Sequence, residues 1–114
     1  MDGLEIARTL VSALEEKKGE DIVLLDLVDV VSFTDYFVIC TGTSDRMLKA
    51  LMNAALDEVR ETHKKKPRVE GETFGGWLLA DYGDVVLHVF SPRQREYYTL
   101  EELWSEGKVL LHVQ

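Results

Sequence analysis

The sequence is poor in cysteine, in proline and in positive charge, and each scarcity removes a class of protein. A lone cysteine, Cys40, lies inside the apolar run Tyr36 to Cys40 and has neither a disulfide partner nor a CxxC neighbour. That excludes a disulfide scaffold and a cysteine-rich metal site, and a reducing interior is expected. Two prolines, with 46% hydrophobic and 30% charged residues, exclude a proline-rich linker or a disordered tail. No apolar stretch approaches membrane-spanning length, and Met1 to Leu14 carries Asp2, Glu5 and Arg8 where a signal peptide would run from basic to apolar. No membrane contact is expected. A cytoplasmic location is, or an organelle matrix once a leader has been trimmed. Thirteen Lys and Arg stand against twenty-one Asp and Glu, a formal charge of -8, and the resulting field repels phosphates and attracts cations. Naked RNA or DNA is therefore a poor primary ligand. Work at a nucleic-acid machine would run through one of its basic proteins.

What is present is enough for a single domain over residues 1–114, with 105–114 as a C-terminal tail. A chain of this length buries roughly 65% of its unfolded surface. Leu4, Ala7, Val11 and Leu14 recur near a 3.6 period and end at Lys17, Lys18 and Gly19, which predicts an amphipathic helix with a cationic last turn and a glycine stop. Ile22 to Leu27 and Tyr36 to Thr41 are branched and aromatic on both faces, which predicts central strands covered on each side, joined antiparallel through Asp29 to Asp35. Leu48, Leu51, Met52, Ala55, Leu56 and Val59 predict a helix over Asp45–His63 with Thr43 or Ser44 as its cap. Lys64 to Arg68 and Glu70 to Gly76 read as a loop. Trp77 to Tyr82 and Asp84 to Phe90 read as a hairpin turning at Tyr82-Gly83. Ser91, Pro92 and Gln94 open a last helix as cap, first-turn proline and capping-box partner, and Thr99 with Glu102 repeat the spacing. Lys108 to Gln114 reads equally as a strand or a frayed end. The predicted class is α/β, a mixed β-sheet flanked by helices in the order α-β-β-α-β-β-α. A right-handed parallel crossover should run from Tyr36 through His63 to Trp77.

Few of these residues form a chemical constellation. Gly42-Thr43-Ser44 between a strand and a helix could face a phosphate, but no P-loop lysine follows and Asp45 sits where the anion would be, so helix capping is the simpler assignment. The same glycine-serine start opens metal-dependent nucleotidyltransferases. They also need a convergent carboxylate pair, and Asp81 and Asp84 straddle a turn instead. His63, His88 and His112 have no neighbour at zinc-ligand spacing. A Cys40/His88 nucleophilic pair lacks a third group. Lys64, Lys65, Lys66 and Arg68 suit a helix C-terminus, or an accessory RNA contact beside a protein-docking site. Trp77, Tyr82, Tyr97, Tyr98 and Trp104 exceed what so small a core can seal. At least two should border an exposed patch flanked by Asp81, Asp84 and Glu70.

TDYFVICTGTS at Thr34 to Ser44, Glu70-Gly71, WLLADYGDVVLHVF at Trp77 to Phe90 and REYYTLEELW at Arg95 to Trp104 together resemble the ribosomal silencing factor family, also called Iojap-like. The resemblance runs from Leu4 to Trp104. It implies a nucleotidyltransferase-like topology without enzymatic activity or cofactor. It also implies binding to the large ribosomal subunit through its basic ribosomal protein number fourteen, blockage of subunit joining when nutrients are short, and homodimers. Carried over by position, Glu70, Trp77, Asp81, Tyr82, Asp84, His88, Tyr97 and Tyr98 are the expected partner-binding residues, with no catalytic or metal site. The alternatives are a metal-dependent nucleotidyltransferase-like enzyme and a generic dimeric interaction module.

Overall fold

A computed structural model describes residues 3–98 and 106–113. The first apolar stripe forms helix α1 (Gly3–Glu16), burying Ile6, Ala7, Leu10, Val11 and Leu14 along one side. Its stop differs from the expected glycine, because Lys18 takes the left-handed conformation at φ 64°. Gly19 follows it and donates its N–H to the Leu14 carbonyl at 2.8 Å, while the Lys18 N–H meets the Glu15 carbonyl at 3.0 Å, and the two bonds close the last turn. The two lysines thus lie beyond the helix and leave its last turn without a basic residue.

Strands β1 (Glu20–Asp26) and β2 (Tyr36–Thr41) pair antiparallel, as expected from their double-sided apolar pattern. Helix α2 (Asp45–His63) has the predicted limits. Ser44 accepts the Met47 N–H at 3.0 Å, and Lys64 ends the helix in the left-handed region with its N–H on the Arg60 carbonyl. Farther along, the chain departs from the expected loop, since Arg68–Glu72 form strand β3, followed by a 3-10 turn at Thr73–Gly75. Strand β4 (Trp77–Asp81), strand β5 (Val85–Phe90), helix α3 (Pro92–Tyr98) and strand β6 (Lys108–Val113) complete the described chain. The strand alternative for residues 108–113 is therefore the right one. The second start at Thr99 and Glu102 lies outside the described residues.

The sheet has six strands in the order β3-β4-β5-β2-β1-β6. Its one parallel pairing among the described strands joins β2 to β5, and β4 runs antiparallel to β5. The predicted parallel relation between Tyr36–Thr41 and the Trp77 strand is thus corrected. After α2 the chain travels to the far edge, lays down β3, and returns through β4 to place β5 beside β2. One extra edge strand reverses the expected direction of β4.

Alternation divides the sheet into two cores. Ile22, Leu24, Val38, Cys40, Leu78, Ala80, Val85, Leu87 and Val89 face α1 and α2. Val23, Leu25, Leu27, Phe37, Ile39, Val86 and Phe90 form the second cluster, with Trp77 and Leu79 packed against it. Each fully buried Leu, Ile, Val or Phe contributes about 1.5–3 kcal/mol, so both layers add to stability and the sheet is fixed from both sides.

Candidate functional site

The β3–β4 ladder brings together three of the expected partner-binding residues. Its register sets Glu72 opposite Trp77, Glu70 opposite Leu79 and Arg68 opposite Asp81. Because side chains alternate, all six lie on one face, away from the two long helices. Every residue of β3 is exposed, while Trp77, Leu79 and Asp81 are half-buried, so the edge strand contributes carboxylates and its neighbour contributes apolar surface. Glu70, Gly71, Trp77 and Leu79 line a groove of about 210 Å³. Gly71 at φ 97° is needed there, since a Cβ would lie 2.2 Å from the Trp77 carbonyl oxygen.

Trp77 is held from behind by an aromatic stack. Its ring lies 4.9 Å from Phe90 and its indole N–H donates to His88 Nδ1 at 3.2 Å. Phe37 meets the same imidazole edge-on at 4.6 Å. His88 is 4% exposed and holds the indole from the core side. Burial lowers its pKa from 6.5 to about 4, with a small opposing pull from Asp81, so the ring is neutral. With Nδ1 accepting, Nε2 carries the proton and has no hydrogen-bond partner among the described residues.

The remaining expected residues are dispersed. Tyr82 packs against the helix-side core, its hydroxyl buried without a hydrogen-bond partner among the described residues and pushed up to about 12 by burial. It lies on the opposite side of the sheet from Trp77. Asp84 lies exposed at the hairpin end, where its carbonyl accepts the N–H groups of Asp35 and Tyr36. The turn is shifted by one residue from the expected Tyr82-Gly83, because Tyr82 N–H bonds to the Val85 carbonyl and Gly83-Asp84 form the loop. Tyr97 is 76% exposed but lies on α3, beside Arg93, Gln94 and Glu96. The Tyr98 side chain and Trp104 fall outside the described residues. Among the described residues, the expected aromatics place Trp77 beside the acidic edge and Tyr97 elsewhere. Sequence reasoning missed Leu79 and Phe74. The latter is 81% exposed in the 3-10 turn, and its only signal was a phenylalanine next to two glycines.

The enzymatic alternatives gain nothing from the geometry. Cys40 pairs with Val89 while His88 pairs with Ile39, which puts the thiol and the imidazole on opposite faces of the sheet. Burial pushes the Cys40 thiol up to about 12, far from a thiolate. Asp81 gives one oxygen to the Gly83 N–H at 2.8 Å and the other to Arg68 at 3.5 Å. Ser44 is occupied as the α2 cap. At the same end of the sheet, buried Arg95 donates to Thr41 Oγ1 at 2.9 Å and pairs with Asp21 at 3.4 Å, while Asp21 also holds His112. No helix among the described residues is long and apolar enough to cross a membrane.

Residues 2–113 match the model of a family described as ribosomal silencing factor during starvation. The chain belongs to this family. Among silencing factors it is 37% identical over 107 residues to that of Bacillus subtilis, covering 94% of this chain and 91% of the relative. It is 39% identical over 108 residues to that of Chromobacterium violaceum, covering 95% and 88%. The plant relative named protein Iojap, chloroplastic, from Zea mays, is 34% identical over 104 residues, covering 91% of this chain and 45% of its own length. A crystal structure of a C. violaceum protein superposes with a TM-score of 0.86 at 39% identity, covering 92% of this chain and 88% of the other. Membership of the silencing-factor family thus agrees with the mixed sheet built above.

Proposed function

We propose that this chain represses translation by binding the large ribosomal subunit through its basic ribosomal protein number fourteen and blocking its joining to the small subunit. The observation that carries the reading is the family match across residues 2–113. The acidic β3–β4 face supports it, because Glu70, Glu72 and Asp81 beside Trp77 and Leu79 offer charge and apolar area to a cationic protein surface. A relative from Mus musculus is named mitochondrial assembly of ribosomal large subunit protein 1, which is consistent with a large-subunit partner. Occlusion needs a patch of ordinary size, about 800 Å² per partner, and no reacting group. Lys64 to Lys66, at the α2 end, make an accessory contact to ribosomal RNA, and the free protein pairs as a homodimer in the cytoplasm.

Sucrose-gradient sedimentation of purified subunits tests this directly. With the protein added in excess, the joined peak disappears and the protein travels with the large subunit. Normal joining at saturating protein refutes occlusion. Self-association without any ribosomal co-sedimentation would instead favour a generic dimeric module.

A further inference from the structure

Arg68 occupies carboxylates that a basic partner needs. Its Nε lies 3.4 Å from Glu70 and its terminal nitrogen 3.5 Å from Asp81, on a side chain that is 75% exposed. Glu70 is also a wall of the groove it shares with Gly71, Trp77 and Leu79. A slot with an indole and an isobutyl wall and a carboxylate at its mouth suits the stem and head of an arginine or lysine. The methylenes lie on the apolar walls and the cation meets the indole face and Glu70. The chain's charge of -8 favours a partner that supplies such a residue.

Resting on the docking reading above, we infer that this groove receives an arginine or lysine side chain of the basic partner and that Arg68 is an internal competitor for Glu70. An exposed ion pair is weak enough to yield to the incoming cation. It still sets a penalty that the partner must overcome, about twofold to fivefold in affinity.

The test measures affinity for purified large subunits using wild type, Arg68→Ala, Arg68→Gln and Lys49→Ala. Lys49 lies exposed on α2, so its replacement makes the same change in net charge away from the groove. Both Arg68 variants should bind about twofold to fivefold tighter than Lys49→Ala. Adding Glu70→Gln to Arg68→Ala should erase that gain. Equal affinities for Arg68→Ala and Lys49→Ala overturn the competitor while leaving subunit binding intact. In parallel, a capped hexa-arginine peptide is titrated into nitrogen-15-labelled protein and the Trp77 indole N–H resonance is followed. It should move, and at lower peptide concentration in Arg68→Ala. An unmoved resonance overturns the groove assignment. A moving resonance in a protein that never binds large subunits upholds the groove and defeats the ribosomal reading.

Discussion

At His88 the Trp77 indole has taken Nδ1, and the neutral ring is enclosed by Phe37, Trp77 and Phe90. The pH consequence follows from the lowered pKa. Above pH 6.5 the ring is neutral in both folded and unfolded chains and contributes no pH dependence. Between 6.5 and about 4 the unfolded chain takes up a proton that the native state refuses, so stability falls as pH falls. The slope is at most about 1.4 kcal/mol per pH unit. Urea denaturation at a series of pH values should show His88→Gln losing less stability than wild type across this window; parallel curves would refute the assignment. A second residue-scale prediction concerns Gly71. Its φ of 97° and the carbonyl 2.2 Å from a built Cβ mean that Gly71→Ala loses about 1–3 kcal/mol from backbone strain alone, readable as a lowered denaturation midpoint. That His88 lies on a strand was legible in the Asp84 to Phe90 run. Its service to Trp77 was not, because that depends on which strand lies alongside.

Elements with their own local signals were readable, and those defined by a neighbour were not. Helix α2 announces itself through Ser44 at its start and a six-residue apolar stripe, and its limits were correctly predicted. Strand β3 carries Arg68, Glu70, Gly71 and Glu72, the composition of a loop. It is a strand because β4 offers a ladder, and an exposed edge tolerates charge where a central strand would not. The capping box at Ser91 formed only by half. Gln94 N–H bonds to Ser91 Oγ at 3.2 Å, but the Gln94 side chain turns to the Gly75 carbonyl at 3.1 Å, since Gly76 has already accepted the Ser91 N–H. That substitution ties α3 to the turn carrying Phe74. Arg95 makes the comparable tie on the other side, to Thr41 and Asp21, and Asp21 in turn to His112. Arg95→Ala is expected to cost about 1.5–3 kcal/mol, the value of hydrogen bonds to a charged group. Amide exchange should then speed up in α3 and β6 together; acceleration confined to α3 would show that the tie does not reach the last strand.

For the whole molecule, charge sets the kinetics of encounter. A body of -8 approaching a cationic surface is steered, and salt screens the steering. The association rate with large subunits should fall by about tenfold or more between low salt and about 0.5 M, with a smaller change in dissociation. A rate indifferent to salt would place the docking energy in the apolar groove alone. The net charge was readable from composition, whereas its grouping on β3 required the register of two strands.

The position of β6 has a consequence for biosynthesis. It borders β1 and is made after every other described strand, so a nascent chain leaves the outer side of Ile22, Leu24 and Leu25 unzipped until residue 113 has been polymerised. Throughout that interval an apolar strand lies open to wrong pairing, and the native sheet closes only once its earliest strand meets its latest.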